Sequence, residues 1–286
     1  MRIFSVPYSL RKRGPFWKLQ LDALRLHEGN ARPGETVADL GREDHLLTFP
    51  ASHVLYWPQR GMSGNLSVLL SEPRGGHTQF YRTLPLLWWR FFRVFAHEPR
   101  LLGKLPNGRA LPFGTTWVET DVDHRGAKTR RVSLIASTLQ KMPGHRLRHR
   151  LADWIKKTGQ DVDLLGYAYR PLEKKADGLA PYRFSLIIEN SREPGYFTEK
   201  LLDALFCDAV PIYWGAPDIG RYFDTRGMIV CQSEAELRDA AASVTNAGYE
   251  RYMEFMPANR QKALAYVDYE GNAADIIRRE VRAAGS

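Results

Sequence analysis

Apolar positions along this chain fall into two regimes. Up to about residue 125 they form short runs separated by polar and turn residues. Residues 3–7 predict an opening strand, and 16–26 carry helical spacing through Trp17, Leu21 and Leu24. Residues 46–49, 54–57 and 66–70 read as short buried strands, the last stopping at Ser71-Glu72-Pro73. Residues 81–92 are helix-like or a buried mixed segment, and 105–113, rich in Pro and Gly, read as a loop.

The second regime is sharper. Strands are predicted at 131–137, 162–165, 182–188, 209–214 and 228–231, with helices at 146–157 and 198–206 between them. Ser233 followed by Glu236 is a capping box, and helical signals continue from there. Strand alternating with helix means a parallel sheet, and such sheets bind ligands at the carboxyl ends of their strands. The change of regime falls in 121–128, which suggests domains 1–125 and 126–286.

Composition narrows the classes. With 44% apolar and 26% charged residues among 286, the chain has the profile of a globular protein with a core to bury. Its 41 Lys and Arg against 32 Asp and Glu leave a net +9, which favours anionic ligands. Two cysteines, Cys207 and Cys231, exclude a disulfide scaffold and a cysteine-based zinc site. The basic start lacks a following apolar stretch, and no run approaches the ~18 apolar residues of a spanning helix. The compartment expected on these grounds is a reducing cytosol.

Candidate chemistry concentrates in residues 182–217. An apolar strand ends in Glu189-Asn190-Ser191, a Pro194-Gly195 turn follows, and a helix opens near Thr198 with Glu199 and Lys200 in its first turn. A helix N-terminus already carries about half a positive charge. A lysine there makes sense when a polyanion sits between it and the free backbone N–H groups, and equally as a solvated surface residue. Between 124 and 150 stand eight Lys or Arg and no acid, with Arg146 opening a helix just past a strand end. A guanidinium so placed grips phosphate bidentately.

Three stretches together, Ile188-Glu189-Asn190-Ser191, Tyr196-Phe197-Thr198-Glu199-Lys200-Leu201 and Val210-Pro211-Ile212-Tyr213-Trp214-Gly215-Ala216-Pro217, resemble the donor-binding signature of the α-1,3/4-fucosyltransferases, glycosyltransferase family 10. Ile188 and Phe197 depart from the usual Phe and Val, both apolar exchanges. Arg146-Leu147-Arg148 resembles the family's diphosphate-binding element. Over the first 125 residues the likeness is thin. The resemblance implies the GT-B architecture, two Rossmann-like α/β domains with parallel sheets facing across a cleft. It implies an inverting transfer of fucose from GDP-fucose to a glycan hydroxyl, with no metal and no other cofactor. Arg146, Asn190, Tyr196, Glu199 and Lys200 are then the donor-binding residues. The family's general base is a glutamate in a turn of the N-terminal domain, which points to Glu72.

The remaining signals weigh less. Asp121-Val122-Asp123 and Asp161-Val162-Asp163 have the form of a metal-holding triplet, but one lies in the presumed linker and the other opens a strand. His145 and His149 are spaced to share a metal, yet Arg146, Arg148 and Arg150 alternate with them and repel a cation. The run Trp88-Trp89-Arg90-Phe91-Phe92-Arg93 suits a core, a sugar surface or a membrane interface. The expected partners are a nucleotide sugar and a glycan acceptor, with peripheral contact to anionic membrane at the inner face and no nucleic acid. A transferase for another nucleotide sugar, a basic nucleic-acid binder and a non-catalytic nucleotide-sugar binder are the rival readings.

Overall fold

Six strands of the weakly patterned half form one sheet in the computed structural model, which describes residues 1–10, 16–56 and 61–285. They are β1 (Ile3–Ser5), β2 (Arg25–Glu28), β3 (His45–Thr48), β4 (Asn65–Leu70), β5 (Val94–Ala96) and β6 (Gly108–Ala110). Their order is β2-β1-β3-β4-β5-β6, parallel except for the antiparallel edge strand β2. β3 and β4 are buried almost throughout, as a sheet covered on both faces requires. One face packs Phe4, Leu46, Leu66, Val68 and Leu70 into the larger cluster. The other face presents Ile3, Leu47, Leu69 and Phe95 to Tyr269, Ala273, Ala274 and Ile277 of the helix Tyr269–Gly285.

That helix changes the domain division. The compact units are Met1–Phe113 with Asp268–Ser286, and Gly114–Val267. The sequence-based split at 125/126 is therefore corrected on two counts. The break lies at 113/114, and the last helix belongs with the first sheet, not the second. The cause is burial: a fully buried Leu, Ile or Phe contributes ~1.5–3 kcal/mol, and this helix packs on that face. Ion pairs reinforce it, with Arg93 and Arg109 both on Glu280, Arg278 on Glu28, and Arg25 on Asp268.

Local readings of this unit also shift. The 16–26 segment forms two 3-10 turns, Phe16–Lys18 and Leu21–Ala23, because Gln20 bridges Thr36 in extended form between them. Residues 52–56 are helix Ser52–Tyr56, not a strand, while Trp57 lies outside the described residues. A four-residue apolar run does not distinguish the two by periodicity. The 81–92 segment resolves into helix Thr78–Leu87 and the 3-10 turn Trp88–Arg90, and the expected loop 105–113 contributes β6.

The second unit holds β7 (Arg130–Ile135), β8 (Val162–Leu165), β9 (Tyr182–Ile188), β10 (Val210–Trp214) and β11 (Ile229–Val230). All pairs are parallel, in the order β11-β10-β9-β7-β8. Counted within the unit this is the doubly wound order 2-1-3-4-5, whose strand order reverses between β7 and β9. Ser133 and Ser185 join these two strands by a buried 2.9 Å hydrogen bond. A ligand site is expected just beyond the carboxyl ends of that pair.

Candidate functional site

β9 runs apolar to Ile188, and the next residue, Glu189, is fully buried. A carboxylate there needs partners, and Thr198 supplies two. Its backbone N–H donates to Oε1 at 2.9 Å and its hydroxyl to Oε2 at 2.7 Å. Thr198 is also the N-cap of helix Glu199–Phe206. The 191–197 turn between them is held by Gly195 N–H on Asp218 Oδ1 at 2.8 Å. It is also held by Phe197, whose ring packs 5.1–5.3 Å from Tyr222, Phe223 and Tyr266. The larger Phe in place of the family's Val is thus absorbed by an aromatic cluster.

Lys200 folds back onto this cap. Its Nζ donates to Thr198 Oγ1 at 3.0 Å and Glu199 Oε1 at 2.9 Å, and lies 3.8 Å from Glu189 Oε2. The lysine that the sequence showed beside a helix N-terminus is therefore held by two carboxylates. Burial pushes the Glu189 carboxyl up, with Lys200 pulling the other way. Burial works against the charge of Glu199 too, but Lys200 prevails and holds it below the usual range. Burial opposes the Lys200 charge, and the two glutamates override it and raise its pKa.

The helix Pro143–Thr158 brings the second cation. Gly144 lets its first turn touch the end of β9, since a Cβ there would sit 1.7 Å from the Glu189 carbonyl oxygen. Gly144 N–H donates to Asn190 O at 3.0 Å. One turn on, the buried Arg148 donates from Nε to Ile188 O at 3.1 Å and from Nη2 to Asn190 Oδ1 at 2.7 Å. Arg146 points elsewhere: it is exposed and donates to Gln140 O and Lys141 O. Tyr196 is buried at the end of the turn. A recess at the ends of β7 and β9 is lined by Arg148, Lys175 and Lys200 over Ile135, Leu186 and Ile188. Three cations meet there, with Glu189 and Glu199 as counter-charges to Lys200, around a cavity of about 20 Å³, room for a water-sized group.

The sequence named Arg148 only as part of the Arg146-Leu147-Arg148 element, with Arg146 preferred, and did not single out Lys175. For Arg148 the signal was present. Arg148, Leu151, Ala152 and Ile155 form an i, i+3, i+4, i+7 stripe, and all four are buried. Arg146 and Arg150 lie off it. Lys175 precedes β9 in a 3-10 turn and has no sequence signal.

His145 ties stability to pH at this site. Its Nδ1 accepts from Met142 N–H at 3.2 Å, which requires the neutral ring. Burial, then Arg148 and Lys200, lower its pKa to about 4, against 6.5 unfolded. The depressed value means its contribution is full above about pH 6.5 and is lost as pH falls towards 4. Chemical denaturation at pH 7.5 and 5.0 should show a loss of order 1–3 kcal/mol that His145→Gln flattens. Equal slopes in both proteins would place the effect elsewhere.

Much of the basic cluster finds acids far along the chain. Arg130 pairs with Asp163, Arg131 with Asp161, and Arg150 with Glu234; Arg125 pairs locally with Asp123. Lys128 is half-buried, donating to Ala180 O at 2.7 Å and Cys207 O at 2.5 Å. The absence of local acid between 124 and 150 therefore reflects pairing across the fold, not a bare cationic face. The same contacts account for three of the four triplet aspartates. Cys207 and Cys231 are buried thiols.

In the first unit, Glu72 follows the carboxyl end of the central strand β4 and is half-buried, its carbonyl accepting from Tyr81 Oη at 3.2 Å. Glu98, just past the end of β5, is engaged locally. It caps helix Pro99–Leu102 through Arg100 and Leu101 N–H and pairs with Arg74 at 3.0 Å.

Residues 126–266 match the model of the glycosyltransferase family 10 (fucosyltransferase) C-terminal domain. A 71-residue stretch is 38% identical to the alpha-(1,3)-fucosyltransferase FucT of Helicobacter pylori, covering 25% of this chain and 14% of that protein. Another, of 70 residues, is 34% identical to the alpha-(1,4)-fucosyltransferase of Arabidopsis thaliana, covering 24% and 18%. The chain thus spans less than a fifth of either relative. Among solved structures, an alpha1,3-fucosyltransferase superposes with a TM-score of 0.51 at 17% identity, over 84% of this chain and 74% of that one. A UDP-forming alpha,alpha-trehalose-phosphate synthase from Burkholderia vietnamiensis gives 0.56 at 10% identity, over 85% and 76%. These likenesses show a shared fold, the GT-B class of two α/β units.

Proposed function

We propose that this chain, whose residues 126–266 match the glycosyltransferase family 10 (fucosyltransferase) C-terminal model, transfers fucose from GDP-fucose to a glycan hydroxyl with inversion. The observation that carries the reading is the convergence of Arg148, Lys175 and Lys200 on the recess at the β7/β9 reversal. Charge develops on the diphosphate as the sugar leaves, and fixed cations in a low-dielectric pocket stabilise it with little reorganisation. The helix N-termini at Pro143 and Thr198 add their partial charges. Asn190 orients Arg148, Glu199 orients Lys200, and Tyr196 closes the turn against the donor. Arg146, on the outer face of the first turn, contributes at longer range. The same cations do the work a divalent ion would do on the diphosphate, so donor binding needs none. Calorimetry with GDP-fucose, with and without chelator, tests this: equal binding in both is expected. Binding that vanishes with chelator, or a preference for another nucleotide sugar, would overturn it.

A second partner is an anionic membrane surface. Leu86 is 74% exposed and Trp89 66% exposed, with the Arg90 guanidinium 5.6 Å from the Trp89 ring centroid. Trp beside Arg suits the headgroup region. Among the described residues no helix is long and apolar enough to cross a bilayer. Flotation with phosphatidylglycerol vesicles should recover the protein at low salt, less at high salt, and less again for Trp89→Ser. Recovery indifferent to both lipid charge and salt would remove the idea.

A further inference from the structure

We infer that Trp117 is a platform on which the base of the nucleoside diphosphate stacks, an inference that rests on the proposed donor site. Trp117 is 68% exposed, yet the backbone beneath it is fixed. Its N–H donates to Asp203 Oδ1 at 3.0 Å, and Thr116 Oγ1 donates to the same oxygen at 2.7 Å. Asp203 is fully buried on the helix Glu199–Phe206, the helix whose first turn carries Lys200. On one side Val118 enters the core, its N–H on Thr116 Oγ1 at 3.1 Å. On the other, Gly114 lies so close to Tyr266 that a Cβ would meet its carbonyl oxygen at 2.2 Å. A large indole carried on a fixed backbone and left in solvent is not explained by packing. Rigid exposed aromatics mark recognition surfaces.

The neighbouring charge says what is recognised. Lys175 Nζ lies over the Trp117 ring, 5.5 Å from its centroid, and the same lysine lines the recess with Arg148 and Lys200. An aromatic face thus adjoins a cationic pocket through one shared side chain. A nucleoside diphosphate has the matching form, a flat π-system at one end and two phosphates at the other. Bases stack on aromatic side chains with little regard to sequence, because every base has a π-face. Lys175 then serves both ends, beside the stacked ring and towards the phosphates.

The test separates base from phosphate. Calorimetric titrations of GDP and of inorganic pyrophosphate are run on the wild-type chain, Trp117→Ala, Trp117→Phe and Lys200→Ala. Trp117→Ala should lose roughly five- to a hundredfold in GDP affinity and leave pyrophosphate unchanged. Trp117→Phe, which keeps an aromatic face, should recover most of it. Lys200→Ala should weaken both ligands. GDP affinity within twofold of wild type in Trp117→Ala overturns the platform alone, as does an equal loss for pyrophosphate. A wild-type chain that binds neither ligand overturns the donor site and the platform with it.

Discussion

Glu72→Gln should lower single-turnover transfer to acceptor by 10²–10⁴-fold at saturating donor, the range typical of a general base, and leave GDP affinity nearly unchanged. The substitution keeps size and hydrogen bonding and removes only the proton acceptor. The choice follows from the place of Glu72 in the fold and from the resemblance, which implies a turn glutamate of the first unit. Glu72 sits where a ligand-binding loop of a parallel sheet belongs, just past the end of central strand β4. Inverting transfer requires one carboxylate to take the hydroxyl proton as the sugar–diphosphate bond breaks. A variant that keeps more than about a tenth of wild-type turnover would not be a base mutant on this scale.

The second large effect is expected on the donor. Arg148→Ala and Lys200→Ala should each weaken GDP binding by about tenfold to over a hundredfold, since charge-assisted hydrogen bonds contribute ~1.5–3 kcal/mol each. Lys200→Ala also takes this cation from the buried Glu189 and from Glu199, whereas Arg148→Ala takes a donor from Ile188 O and Asn190 Oδ1. Breaking a buried ion pair costs ~3–5 kcal/mol, so stability must be measured alongside. Arg148→Lys resolves the two. It keeps the charge but loses the planar fork that spans Ile188 O and Asn190 Oδ1. It should bind GDP poorly while melting near the wild-type temperature. Arg146→Ala, which removes a side chain bonded to the loop carbonyls of Gln140 and Lys141, should have the smaller effect. Calorimetry and thermal melts on the four variants check the ranking, and normal GDP binding by both Arg148→Ala and Lys200→Ala would refute the diphosphate site.

What was legible in the sequence was local. β9 occupies the predicted 182–188, and Thr198 caps the predicted helix, because an apolar run, a turn and a cap are each written in adjacent residues. What was not legible depended on direction or distance. Arg146 and Arg148 are two residues apart, and two residues on a helix face opposite sides. Only the buried stripe through Leu151 and Ile155 decides between them. The bare basic stretch was balanced by Asp161, Asp163 and Glu234, and composition does not reveal such long-range partners. Lys200 drew attention as a misplaced cation, yet Glu189 was its buried counter-charge eleven positions earlier. The weak half was weak because its strands are only three to six residues long, too short for periodicity to speak.

The return of helix Tyr269–Gly285 to the first sheet sets an order of completion during synthesis. Domains commonly fold from the N-terminus as the chain emerges. Here Ile3, Leu47, Leu69 and Phe95 wait, one face of their sheet bare, while the entire Gly114–Val267 stretch is made. At ribosomal rates that wait is roughly 10–30 s. The unit begun second has every strand it needs before the unit begun first has its cover. A nascent chain stalled before residue 269 would therefore carry a finished second unit beside a sticky, unfinished first one, and would call on a chaperone at its beginning rather than at its growing end.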